Sequence, residues 1–211
     1  MSEYEIGCVA VGDLSTNCYV VKKKDTGDAC VIDPGDNLTL IQDLLHRMEA
    51  KCRLILLTHG HFDHILAVEH LRSERAPVCI HKEDAHMLTE RDMFSQLIPY
   101  DPRPMEEADY VFEKEGSYTV AGFTFYVIPS PGHTKGSVCY LFEDNLFTGD
   151  TLFQGSIGTL NFGGNAADME ASLRMLCNLP VDYTVYPGHD GKTTLSDEIA
   201  NNPFLKEFRR K

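Results

Sequence analysis

The fold is decided by residues 53–64, Arg-Leu-Ile-Leu-Leu-Thr-His-Gly-His-Phe-Asp-His. Residues 53–57 make a short, continuous apolar run, the pattern of a strand covered on both faces. Directly behind it stand three imidazoles and a carboxylate within six residues: His59, His61, Asp63 and His64. With 9 His and 17 Asp in the chain, a His-x-His-x-Asp-His string arises by chance roughly once in a thousand such compositions. Neutral imidazole and carboxylate suit zinc, iron or manganese, and thiolate is absent from the string. On an extended segment His59 and His61 leave the same face and can grip one ion. Asp63 and His64 fall where the chain turns into a helix, so they point elsewhere and can serve a second.

Outward from this string, strand and helix signals alternate. Residues 5–11 and 17–22 are β-rich and flank a Gly-Asp-Leu-Ser turn, and residues 22–28 form the exposed loop of a hairpin returning into 29–32. Asp33-Pro34-Gly35 ends that strand. Leu38, Ile41, Leu44, Leu45 and Met48 then follow helical spacing, with Asp36 or Asn37 as cap. A helix carrying Ile65, Val68, Glu69 and Leu71 on its inner face is predicted after His64, then a strand at 78–80 and a short helix at 82–89. Residues 90–109 break the pattern with prolines at 99, 102 and 104, yet carry Met93, Phe94, Leu97, Ile98 and Tyr100. Such a loop is either a cover over a site or packed on its own domain. Strands resume at 117–120, 122–128, 137–142 and 146–148, followed by a helix at 168–179, a strand at 183–186 and a helix at 195–201. With no linker or repeat, these elements predict one α/β sandwich domain over residues 1–211.

Three further polar turns each follow a predicted strand: Ser130-Pro-Gly-His133-Thr, Phe147-Thr-Gly-Asp150-Thr and Tyr186-Pro-Gly-His189-Asp. Alone, each is an ordinary glycine turn with a polar tip. Recurring after strands, beside a metal string, they are the means by which one edge of a sheet sandwich collects single ligands for a two-metal site.

Composition narrows the partners. The chain has 211 residues, 43% hydrophobic, enough to bury roughly 70% of its unfolded surface without help from metal or disulfides. Nineteen Lys and Arg against 32 Asp and Glu give a net charge of −13, which argues against nucleic acid or an anionic membrane as partner. The apolar runs are too short to span a bilayer, and the first residues lack the pattern of a signal peptide. A cytoplasmic protein with seven reduced cysteines is expected.

The set HGHFDH, GHT, TGDTLF and PGH resembles the metallo-β-lactamase superfamily. The wording GDTLFQGSIG, and YPGH followed by NNPFL, is similar to that of hydroxyacylglutathione hydrolases (glyoxalase II), especially short single-domain bacterial ones. The resemblance runs from about Asn17 to Leu205 and implies a four-layer αββα sandwich with metals at one edge. Carried over, it implies one ion held by His59, His61 and His133, a second held by Asp63, His64 and His189, and Asp150 bridging them. The ions would be two divalent cations, zinc first, with iron or manganese as options. They would lower the pKa of a bridging water toward about 7, and the resulting hydroxide would attack a thioester such as S-lactoylglutathione. Asp63 or Asp150 would relay the proton. His46, His70, His81 and His86 match no ligand position and are expected on helix faces or the surface.

Two departures bear on substrate. Only 22 residues follow His189, so the helical domain that contacts glutathione in two-domain relatives is not expected and the pocket should be more open. Thr159 and Asn161 stand where relatives carry an arginine and an acid, which removes an expected ion pair; Lys135 and Lys192 are the candidate substrate contacts that remain. A single-iron persulfide dioxygenase using His59, His133 and Asp150 is the alternative from another reaction class, and a lactone or ester hydrolase with the same site is a third.

Overall fold

Residues 2–73, 75–90 and 104–208 are described by the computed structural model. The chain divides into two compact units, residues 1–113 with 119–123, and residues 114–118 with 124–211.

In the first unit, alternation and a tight turn set the opening hairpin. Strands β1 (Tyr4–Val11) and β2 (Thr16–Lys23) pair antiparallel from Tyr4↔Lys23 to Val11↔Thr16. β3 (Asp28–Ile32) adds antiparallel, and the chain then crosses over through α1 (Leu38–Arg47) to the parallel strand β4 (Lys51–Leu56). A second crossover holds α2 (Phe62–Ile65) and α3 (Val68–Leu71) and leads to β5 (Val78–His81); α4 (His86–Thr89) precedes the edge strand β6 (Tyr110–Phe112). The six strands lie in sequence order. Val20, Val31, Ile41, Leu44 and Leu45 form one buried cluster, and Ile55, Leu57, Val68, Val78 and Ile80 another. Parallel strands with helical crossovers bury both faces, which is why residues 54–57 are apolar without alternation.

In the second unit, β7 (Gly116–Val120), β8 (Phe123–Pro129), β9 (Val138–Phe142) and β10 (Asn145–Gly149) precede α5 (Ala166–Leu176) and the parallel strand β11 (Thr184–Pro187). The two-residue strand β12 (Thr193–Thr194), α6 (Leu195–Asn201) and a 3-10 helix (Pro203–Phe208) complete the unit. The sheet order is β12-β11-β10-β9-β8-β7. Ile128, Cys139, Leu146 and Val185 from the strands pack with Met169, Leu173 and Leu176 of α5 and Leu195 of α6. The neighbouring residues of opposite parity, Phe125, Tyr140, Phe142 and Phe147, are also buried and join ring to ring at 5.4–6.0 Å. Two sheets, each with its own helices, are the mixed α/β class expected from sequence. No described helix is long and apolar enough to cross a membrane.

Several expectations are corrected. The single helix after His64 is two four-residue pieces, because the Ala67 amide donates to Pro34 O at 3.0 Å and leaves the helical ladder. Asn37 occupies the cap position of α1, but its side chain turns away to accept from the Gly12 amide at 2.8 Å. β6 escapes sequence reading because Tyr110 and Val111 are exposed and only Phe112 is buried. Of the 90–109 loop, residues 91–103 lie outside the described residues; at its far end Met105 is buried against the β4–β5 core.

All seven cysteines are free thiols. Burial pushes Cys52 up to about 11 and Cys139 up to about 12. Because the thiolate is the reacting form, iodoacetamide at pH 8 should label native protein at least tenfold more slowly than urea-unfolded protein, as read by intact mass.

Candidate metal centre

Each ligand-type side chain of the first unit sits where a strand hands over to a helix. His59 follows β4 and is fully buried; His61 is the extended cap residue of α2; Asp63 and His64 lie in α2 itself. Close approach of the backbone fixes this turn. A Cβ added at Gly35 would overlap the carbonyl oxygen of Asp63, so the chain after β3 can support α2 only with glycine there.

The hydrogen bonds determine which ring nitrogens are protonated. Asp33 is 2% exposed and accepts from the Thr58 amide at 2.8 Å, the Thr58 hydroxyl at 2.6 Å and His64 Nδ1 at 2.9 Å. A hydroxyl has one proton, and Thr58 gives it to Asp33. His59 Nδ1, 3.1 Å from Thr58 Oγ1, must therefore be the donor of that contact. Both His59 and His64 are thus held as Nδ1–H tautomers with the lone pair on Nε2, the nitrogen a metal would take. His59 Nε2 meets His61 Nδ1 at 3.1 Å, and His64 Nε2 meets Asp63 Oδ2 at 3.4 Å. Asp63 Oδ2 is itself oriented by the Thr16 hydroxyl at 2.8 Å. The ring of His64 lies 4.2 Å from that of His59, so the first turn of α2 brings it back beside the strand end.

The second unit repeats the logic with different parts. His133, Asp150 and His189 follow β8, β10 and β11. Asp150 Oδ2 lies 3.4 Å from His133 Nε2 and 3.5 Å from His189 Nε2. His133 Nδ1 is 2.7 Å from the carbonyl oxygen of Thr159. A carbonyl only accepts, so Nδ1 carries the proton and Nε2 the lone pair. Gly158 allows this: an added Cβ would overlap Asp150 O and crowd His133 Nδ1 at 3.0 Å. The edge of Phe153 packs on His189 with centroids 5.6 Å apart.

A cation fits these contacts. A tautomer-locked Nε2 lone pair facing a carboxylate oxygen repels it unless a positive charge lies between them. Tetrahedral ligands about 2.0–2.1 Å from a metal stand roughly 3.3 Å from one another. The four ligand-atom pairs within the units, 3.1, 3.4, 3.4 and 3.5 Å, match that spacing.

The family model described as the metallo-beta-lactamase superfamily matches residues 11–189. The chain belongs to the metallo-beta-lactamase superfamily. It is a metal-dependent hydrolase of that superfamily, whose members bind divalent metals. It is 33% identical to a probable polyketide biosynthesis zinc-dependent hydrolase, BaeB, of Bacillus velezensis, over 83% of this chain and 73% of that one. Among solved structures, BLEG-1 B3 metallo-beta-lactamase is 36% identical with a TM-score of 0.89, over 96% of this chain and all of that one. TTHA1623, solved in a di-iron-bound form, is 33% identical with a TM-score of 0.80, over 94% of this chain and all of that one. The metallo-beta-lactamase fold expected from the motifs is therefore shown.

Sequence reading missed Asp33, taken there only as a strand terminator, and Asp84, 1% exposed, which accepts from the Gly60 amide at 3.1 Å between two histidines. It also misplaced His81. That residue is buried at the end of β5, accepts weakly from the Glu83 amide at 3.4 Å, and burial pushes its pKa down. His46, His70 and His86 are exposed, as expected; Lys135 and Lys192 are exposed too. In place of the expected arginine, Thr159 uses its carbonyl to hold His133 and its hydroxyl to accept from the Asn161 amide at 3.3 Å.

Asp33→Asn tests the tautomer argument. An amide must present N–H to one of its three donors, which releases either His64 or Thr58. Zinc affinity by chelator competition should fall about 10- to 100-fold; an unchanged affinity in a folded variant would refute it.

Proposed function

We propose that the chain is a dinuclear hydrolase of thioesters, of which S-lactoylglutathione is one. One divalent ion is assigned to His59, His61 and His133, a second to Asp63, His64 and His189, with Asp150 as the bridging ligand. The observation that carries this is the pair of locked tautomers, His64 and His133, each aiming an Nε2 lone pair at a carboxylate oxygen. Membership of the superfamily and the zinc-dependent and di-iron relatives support the ligand assignment. When bound, the two ions supply a water of lowered pKa and a Lewis acid for the carbonyl oxygen of the substrate.

The residues of the chain do the remaining work. Asp63, steadied by Thr16, and Asp150 are assigned as the carboxylates that take up the proton of the water. Thioesters suit the site because a thiolate departs without a strong general acid, and all three histidines with a determined tautomer present lone pairs rather than protons. Buried thiols pushed far above neutral pH supply no competing nucleophile. The exposed Lys135 and Lys192 are assigned to the carboxylates of the thiol carrier. A net charge of −13 favours a small-molecule substrate over nucleic acid or an anionic membrane.

The test joins metal analysis to a substrate panel. Two ions per chain are expected, with saturable hydrolysis of S-lactoylglutathione well above that of simple alkyl thioesters. His59→Ala and Asp150→Ala should lower kcat/KM at least a thousandfold. One iron per chain, with oxygen consumed in the presence of glutathione persulfide, would replace the hydrolase by a dioxygenase.

A further inference from the structure

In the second unit, the turn that follows Asp150 is fastened from an unexpected direction. Phe153 and Ser156 close it, with the Phe153 amide donating to Ser156 O at 3.0 Å. Its inward-facing backbone groups are met by two residues of the C-terminal segment. Glu198 of α6, 4% exposed, accepts from the Gly155 amide at 2.8 Å. Asn202, fully buried, donates through Nδ2 to Ser156 O at 3.0 Å, to Phe153 O at 3.4 Å and to Glu198 Oε2 at 2.8 Å. The other Glu198 oxygen accepts from the Thr193 hydroxyl at 2.8 Å.

The turn and the three residues after it, 153–159, meet His133, Asp150 and His189. It begins three residues after Asp150. Phe153 packs on His189. Immediately downstream, Gly158 lies against Asp150 O, and Thr159 O holds the Nδ1 proton of His133. A carboxylate only 4% exposed is costly to bury unless hydrogen bonds meet it, and three donors fix this one in place.

We propose that Glu198, acting with Asn202, is a positioning clamp that sets the turn 153–159 and through it the ligand geometry of His133, Asp150 and His189. The proposal rests on the assignment of those three residues as metal ligands. Hydrogen-bond logic separates its charge from its shape. In Glu198→Gln the amide nitrogen can face Thr193, whose hydroxyl reverses to accept, while the amide oxygen keeps Gly155 and Asn202. Glu198→Ala leaves the Gly155 amide and one Asn202 donor unmet.

The experiment measures zinc affinity and stoichiometry by chelator competition on the full chain, with thermal unfolding of the metal-free protein alongside. Glu198→Ala should bind zinc about 10- to 100-fold more weakly, whereas Glu198→Gln should stay within about threefold of the parent. Leu195→Ala, which opens the α6 core but removes none of the hydrogen bonds that hold the turn, is the control for a purely structural effect. It should lose stability and keep its zinc affinity. Equal losses of affinity in Glu198→Ala and Leu195→Ala would overturn the clamp, as would a loss in Glu198→Gln as large as in Glu198→Ala. Should Glu198→Ala not fold, Asn202→Ala, which withdraws the donor from Phe153 O and Ser156 O, carries the same expectation. A parent chain that binds no zinc, iron or manganese would instead remove the metal assignment itself.

Discussion

A carboxylate with no room to turn governs the first unit. Asp33 takes the amide and hydroxyl of Thr58 and the Nδ1 proton of His64, and the Thr58 hydroxyl, committed to Asp33, obliges His59 to donate in turn. One acid thereby settles the tautomers of two imidazoles. The second unit reaches the same end through a main-chain carbonyl, that of Thr159, which no side-chain substitution removes directly. Tautomer and ring orientation are fixed in both cases by the protein itself, the preorganisation that a metal site requires.

The fold makes such an arrangement inexpensive to build. The proposed ligands follow the ends of β4, β8, β10 and β11, where the strand ladder has stopped. Backbone groups there are available to hold side chains, and turns can be reshaped without disturbing the buried strands. The six-stranded order of each sheet, with helical crossovers at its parallel joins, places these ends without demanding anything unusual of the core.

Much of this was legible in the sequence because it is local. The run 53–57 and the string that follows it reveal a buried strand and a turn crowded with ligand-type side chains within twelve residues, and α6 begins and ends where its spacing indicates. Long-range chemistry was not legible. Asp33 lies 25 residues from Thr58 and 31 from His64, and a lone Asp before Pro-Gly carries the ordinary signal of a strand end. Glu198 sits 43 residues from Gly155 and reads as one more acid on an amphipathic helix. His81 looked like a surface residue because nothing in the composition around it announces that β5 ends indoors. The broken helix after His64 depended on a single carbonyl, Pro34 O, capturing an amide from across the unit.

The two backbone contacts made possible by Gly35 and Gly158 have a consequence for how the protein can change. At both positions the obstacle to a side chain is a carbonyl oxygen of a proposed ligand, Asp63 or Asp150, and a carbonyl cannot rotate aside as a flexible side chain would. Drift during evolution, or a library built to alter selectivity, would have to leave those two sites alone while exploring the exposed tip at Asn161 and Phe162. New specificity would then be acquired at the rim, with the inherited scaffold beneath it kept intact.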